Sequence, residues 1–184
     1  SAAPERLRGV GMVSVFDAEL AAREVETIAT GHGFRAIVVG TCPDGRTWDD
    51  RRFDALWRAC EAHDVSVGFH PMFRPKRSGQ RLGFDQRFGP AMHWMDEHLT
   101  ALIRGGVLER HPKLRVAFLE SGCGWVPFML WRLDESYWEW RQAARRSGAS
   151  QTDAGIDIEV LEQNVRIAPS DYFRRQCWVA CEAS

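Results

Sequence analysis

Valine-rich apolar runs alternate with stretches of helical periodicity, the first three runs starting roughly 30 residues apart, and this alternation leaves few architectures open. The runs are Arg8 to Val15, Arg35 to Gly40, Val65 to His70, Leu114 to Leu119 and Cys177 to Glu182. After the first, Asp17 is placed to cap a helix with apolar positions at Leu20, Ala21, Val25, Ile28 and Ala29, closed by Gly31 and Gly33. After the second, Asp49 or Asp50 opens a helix whose Phe53, Leu56, Trp57 and Cys60 fall at i, i+3, i+4 and i+7, the stripe of a helix lying on a sheet. Met95, Leu99, Leu102 and Ile103 give a third stripe, and Trp125, Met129, Leu133 and Trp140 a fourth. A βαβαβ order of this kind predicts an α/β fold with a parallel sheet and right-handed crossovers.

At 184 residues the chain is read as one domain, with a weak helical segment from Ile156, a short capped turn from Pro169 to Arg174 and a connection at Ser147 to Asp153. A net charge of −1 gives no reason to expect nucleic acid or an anionic membrane surface. No apolar run approaches the ~20 residues of a membrane span, and Ser1 to Arg6 lack a signal-peptide pattern. The cysteines, Cys42, Cys60, Cys123, Cys177 and Cys181, are odd in number and form no C-x-x-C, so a reduced, cytoplasmic setting is expected. Eight tryptophans are the one unusual count. Their concentration on the helix from Trp125 points to core or subunit contact, and a homo-oligomer is expected.

Chemistry in a parallel α/β fold sits at the C-terminal ends of strands. His70 stands at such an end, just before Pro71 stops the ladder, where it can offer a ring nitrogen to a metal or a proton to a substrate. The long segment that follows, Met72 to Pro90, holds Arg74, Lys76, Arg77, Arg81 and Arg87, either cations for an anionic small-molecule substrate or a solvated surface loop. Glu120 ends the fourth run and leads into the turn Ser121-Gly122-Cys123-Gly124. His111 precedes a proline at the other end of that run and reads as structural. His93 and His98 lie on different faces of their helix, His32 and His63 close helices, and the cysteines read as core residues, Cys177 and Cys181 sharing a strand face. Cys123 is the one cysteine singled out for a test of reactivity.

Gly106-Val-Leu-Glu-Arg-His-Pro-Lys-Leu-Arg-Val-Ala-Phe-Leu-Glu-Ser-Gly-Cys-Gly-Trp-Val-Pro-Phe128, with Phe69-His70-Pro71 and Asp171-Tyr-Phe-Arg-Arg-Gln-Cys177, resembles the amidohydrolase-related family that includes aminocarboxymuconate-semialdehyde decarboxylase and γ-resorcylate decarboxylase. The resemblance implies a (β/α)₈ TIM barrel with one divalent metal, zinc or manganese, at its C-terminal mouth. Residues 1–184 would then be a single partial barrel domain, roughly strands three to seven. It also implies a ligand set of a His-x-His pair, a histidine on the fifth strand and an aspartate near the eighth. Only the fifth-strand histidine has a counterpart, His70, and the chain is expected to be a fragment of a longer enzyme. Where the decarboxylases carry a histidine, at the end of the sixth strand, this chain has Glu120. A carboxylate there can act as general acid and base, and the exchange shifts the expectation toward hydrolysis of an amide, ester or lactone alongside decarboxylation of a small, carboxylated substrate.

The reading is therefore a metal-dependent hydrolase or carboxy-lyase with His70 as metal ligand, Glu120 as catalytic proton shuttle and Arg74 as substrate contact. The alternative is a non-catalytic barrel fragment serving as an interaction or assembly module. A doubly wound nucleotide-binding domain is the third option, and no glycine-rich loop supports it.

Overall fold

Valine, isoleucine and phenylalanine suit a pleated surface because their branched or flat side chains pack against neighbours on it, and here they do so mainly on one side of the sheet. The structure is a computed structural model that describes residues 3, 6–40, 42–70, 95–147 and 157–181. Five strands, β1 (Gly11–Met12), β2 (Ala36–Val39), β3 (Ser66–Phe69), β4 (Val116–Phe118) and β5 (Cys177–Val179), form one sheet in the order β1-β2-β3-β4-β5. Every neighbouring pair is parallel. The helices are α1 (Ala18–Gly31), α2 (Asp54–Ala62), α3 (95–104), α4 (Val107–Arg110), α5 (Trp125–Ser147), α6 (Ile158–Asn164) and α7 (Pro169–Gln176). Consecutive parallel strands joined through helices are the wall of a (β/α)₈ barrel, and this chain describes five of its strands.

The expected helix signals act as read. Asp17 accepts a hydrogen bond from Leu20 N at 2.9 Å and caps α1. Asp50 rather than Asp49 is the cap, accepting from Arg52 N, and it opens a 3₁₀ turn that runs into α2. Phe53, Leu56, Trp57 and Cys60 are all buried, as their spacing requires. Three expectations are corrected. The run from Arg8 to Val15 pairs over only two residues. Leu20 is exposed instead of buried, because it lies off the face of α1 formed by Ala18, Ala21, Val25 and Ala29 that packs inward. The segment from Pro169 is a two-turn helix, its fixed proline φ suiting the first turn, where an amide has no helical partner anyway.

Strand register divides the side chains between two faces. Ile37, Val67 and Val116 lie in one paired row and are fully buried under the helices, with Cys177 nearly so. Gly11 ends that row, and a Cβ there would come within 2.6 Å of Ile28 Cδ1, so the glycine admits α1 against the strand. The row one residue on, Met12, Val38, Gly68, Ala117 and Trp178, faces the other way. Its outer members stay open, Met12 at 70% and Trp178 at 52% exposure.

A polar network fastens the N-terminal end of β4 to α2. His111 is buried, with Nδ1 2.9 Å from Glu61 Oε2 and Nε2 3.4 Å from Asp54 Oδ1. Arg110 donates to Asp54 Oδ1 at 2.9 Å and to Gly105 O at 2.6 Å, and Lys113 N donates to Glu61 Oε1. From the α7 side, Gln176 Nε2 donates to His111 O and Leu114 O. His111 is thus a structural histidine. Burial pushes the Asp54 carboxyl up, but the hydrogen bond and charge of Arg110, then those of His111, outweigh it and hold the carboxyl below its ordinary value. A group more acidic folded than unfolded stabilises fully above its unfolded value, about 3.9, and loses that contribution as pH falls through the folded one. Replacing Arg110→Met is expected to cost on the order of 2 kcal/mol at neutral pH, the strength of a hydrogen bond to a charged group. Urea melts at pH 7 and pH 3 should show the wild-type advantage shrinking in acid.

Candidate functional site

Two strand ends build the site. Phe69 of β3 pairs with Phe118 of β4, their rings stacked at 5.8 Å on the helix side of the sheet. Side chains alternate along a strand, so the residue after Phe69 turns to the opposite face. That residue is His70, whose backbone N donates to Val39 O at 3.0 Å and continues the ladder past the last strand residue. On β4, Leu119 N donates to Phe69 O at 2.9 Å, and the next residue is Glu120. The register sets His70 level with Leu119, and Glu120, one residue further on and no longer in extended backbone, brings its carboxylate to the imidazole: His70 Nε2 lies 3.2 Å from Glu120 Oε1. Both are accessible, the histidine at 33% and the glutamate at 67% exposure.

The turn that presents Glu120 is strained at that residue. Glu120 has φ 49°, in the left-handed region that costs an L-residue roughly 1–2 kcal/mol per residue. Asp64 is the other described non-glycine residue in that region. Glutamate has little local hydrogen bonding to offset the cost, and such outliers gather where surrounding structure holds a group for use. Trp125 supplies the hold. Its indole Nε1 donates to Gly122 O at 2.8 Å, its ring meets Phe118 edge-on at 5.6 Å, and it is almost fully buried at the start of α5. The sequence placed Trp125 on an apolar stripe, and its spacing carried no sign that it also latches the turn.

Of the three residues singled out in the sequence, the structure brings His70 and Glu120 together, and Arg74 lies outside the described residues with the rest of the basic run. His93 and the Gly148 to Asp153 part of the connection lie outside them too. His98 packs on Phe69, ring centroids 5.3 Å apart, from the helix side, away from the strand-end pair. One reading of the cysteines is overturned. β5 ends at Val179, so Cys181 does not share a strand face with Cys177. It lies exposed with its Sγ 3.4 Å from Cys123 Sγ, while Cys42, Cys60 and Cys177 are buried.

As a metal centre this arrangement is short of donors. A catalytic divalent ion takes about three protein ligands and an open position. Among the described residues no group of three or more His, Cys, Asp or Glu side chains is placed to hold an ion. His70 and Glu120 alone do not make a ligand set.

A sequence model of the amidohydrolase family (Amidohydro_2) matches residues 1–151. The chain is 28% identical over 184 aligned positions to a γ-resorcylate decarboxylase of Polaromonas sp., covering 94% of this chain and 54% of that one. It is 30% identical over 145 positions to one of Rhodococcus jostii, covering 71% and 44%. Among solved structures, the 5-carboxyvanillate decarboxylase LigW of Sphingomonas paucimobilis superposes with a TM-score of 0.69 at 24% identity, over 97% of this chain and 49% of that one. A 2,6-dihydroxybenzoate decarboxylase from Rhizobium superposes at 0.67, over 96% and 52%. The chain spans about half the length of the relatives it matches. A family match running over most of these residues, on a parallel sheet shared with family members of known structure, shows that this chain belongs to the amidohydrolase family.

Proposed function

We propose that this chain is the part of a carboxy-lyase that handles the proton, with Glu120 as its general acid and base, acting on a small aromatic carboxylate. The observation that carries the reading is the His70–Glu120 contact at adjacent strand ends, with Glu120 held in a backbone conformation it would not choose. Loss of CO₂ from an electron-rich ring is a substitution by a proton. A C–H bond forms at the carbon bearing the carboxylate with the proton of Glu120. The C–C bond then breaks, its electron pair returns to the ring, and CO₂ leaves. Solvent returns a proton to the exposed Glu120 carboxylate, which the His70 imidazole orients through their contact. A carboxyl group held by an imidazole within hydrogen-bonding reach and open to solvent is suited to that exchange.

The substrate class is supported by the names of the relatives, which act on resorcylate and carboxyvanillate. The exchange of histidine for Glu120 favoured hydrolysis when read alone, and the relatives shift the balance to decarboxylation. Arg74 and the other cations that follow His70 in sequence are proposed to meet the substrate carboxylate. A 5-carboxyvanillate decarboxylase of Novosphingobium aromaticivorans was solved with manganese, as was a dihydroxybenzoic acid decarboxylase of Polaromonas. We assign His70 as one ligand to such a divalent ion, manganese or zinc, whose other ligands lie outside the described residues. No step above depends on it. No helix among the described residues is long and apolar enough to cross a membrane. The exposed Phe128, Trp131 and Trp138 of α5 support contact with a second subunit.

The test is CO₂ release by the full-length protein from 2,6-dihydroxybenzoate and 5-carboxyvanillate, alongside aryl esters and lactones. Decarboxylation with a fall of about 10²–10⁴-fold in Glu120→Gln is expected. Hydrolysis of the esters or lactones without CO₂ release would overturn the reading. Stability should separate from activity at the same position. Glu120→Gly should be more stable than Glu120→Ala by about 1 kcal/mol in urea, because glycine alone escapes the left-handed penalty, while both lose turnover.

A further inference from the structure

The turn beside Glu120 holds a second pair of reactive groups. Cys123 Sγ and Cys181 Sγ lie 3.4 Å apart, and both residues are exposed. They come from segments separated by 58 positions, and each is held in place by backbone bonds. Cys181 follows Ala180, whose N–H donates to Phe118 O at 2.8 Å and prolongs the β4–β5 ladder. The Cys123 carbonyl accepts from Val126 N at 3.2 Å, and the preceding residue is latched by the Trp125 indole. Closing the gap to the disulfide distance of about 2.05 Å asks for a small adjustment of side chains already in contact.

The other three thiols are set apart. Burial, then the charges of Asp50 and Asp49, pushes Cys42 up to about 12, and burial with a smaller effect of Glu61 pushes Cys60 up to about 12. Burial pushes Cys177 up as well, against the pull of Arg175. The thiolate is the nucleophile in sulfur chemistry, so these three are poor reactants and are shielded besides.

We propose that Cys123 and Cys181 form a modification site at the mouth, a dithiol that hydrogen peroxide oxidises to an intrachain disulfide. One thiolate attacks a peroxide oxygen. An S–O bond forms, the O–O bond breaks, and the leaving hydroxide takes a proton to become water. The second thiolate attacks the resulting sulfenic sulfur. The S–S bond forms, the S–O bond breaks, and a second water leaves. Two thiols and one peroxide thus give one disulfide and two waters, with sulfur oxidised and the peroxide oxygens reduced. The bond would tie the turn that presents Glu120 to the end of β5. The proposal does not depend on which reaction the site catalyses.

Hydrogen peroxide added to the reduced full-length protein, followed by alkylation and a non-reducing digest, tests it by mass. The expected result is a Cys123–Cys181 linked peptide lighter by two hydrogens than its parts. It should disappear on treatment with dithiothreitol, and Cys42, Cys60 and Cys177 should still be thiols. In Cys181→Ser the same treatment should leave Cys123 as a sulfenic acid trapped by dimedone. Cys123 passing to sulfinic acid in the wild-type protein without any linked peptide would overturn the proposal, as would a link from either cysteine to another chain. The wild-type result stands even if the variant does not fold.

Discussion

Pairing of Phe69 with Phe118 is the contact on which the site depends. Parallel strands end on the same side, so the matched pair brings His70 level with Leu119, and the turn that begins at Glu120 lies beside the imidazole. The stacked rings, continued by Phe173 against Phe118 at 6.5 Å, fix which face is inward. A slip of one residue would send every side chain of β3 to the other face, and His70 would meet the helices instead of the carboxylate. Burial of these large aromatic side chains, roughly 1.5–3 kcal/mol each, thus sets the geometry of a polar pair that contributes little to stability itself.

Among the described residues, the helices pack on one side of the sheet. Helices cover the row from Gly11 through Cys177, and the neighbouring row from Met12 through Trp178 faces open space at both ends. A closed eight-stranded barrel fills that inner face with side chains from all its strands. Five strands supply part of such a filling, which agrees with a chain spanning about half the length of its relatives. The polar network at the other end of β4 needs no such completion. Asp54, Glu61, Arg110 and His111 bond one another within the described residues and fasten the wall from outside.

The turn after β4 gathers the fold's unusual features within a few residues. It has a glutamate in a left-handed conformation, a buried indole bonded to a turn carbonyl, and a thiol touching another from the next strand end. The sequence showed Glu120 and Cys123 individually, through their place after an apolar run. It did not show that Trp125 latches the turn or that Cys181 comes to Cys123. A period-two pattern puts Cys181 on the face of Cys177 only while the strand continues, and pairing stops at Val179.

What the residues alone determined was the alternation of strands and helices, the parallel sheet, the cap at Asp17, a second cap at Asp49 or Asp50, and the apolar stripe of α2. All follow from local periodicity and local hydrogen bonding, which a chain carries in its order. The family motif added the barrel and marked out His70 and Glu120. Only the tertiary structure decided that those two side chains touch, that Cys123 and Cys181 touch, and that the two ends of one sheet face are exposed among the described residues. Each depends on register between segments distant in sequence, which is set by the packing of the whole sheet and by no single stretch of it.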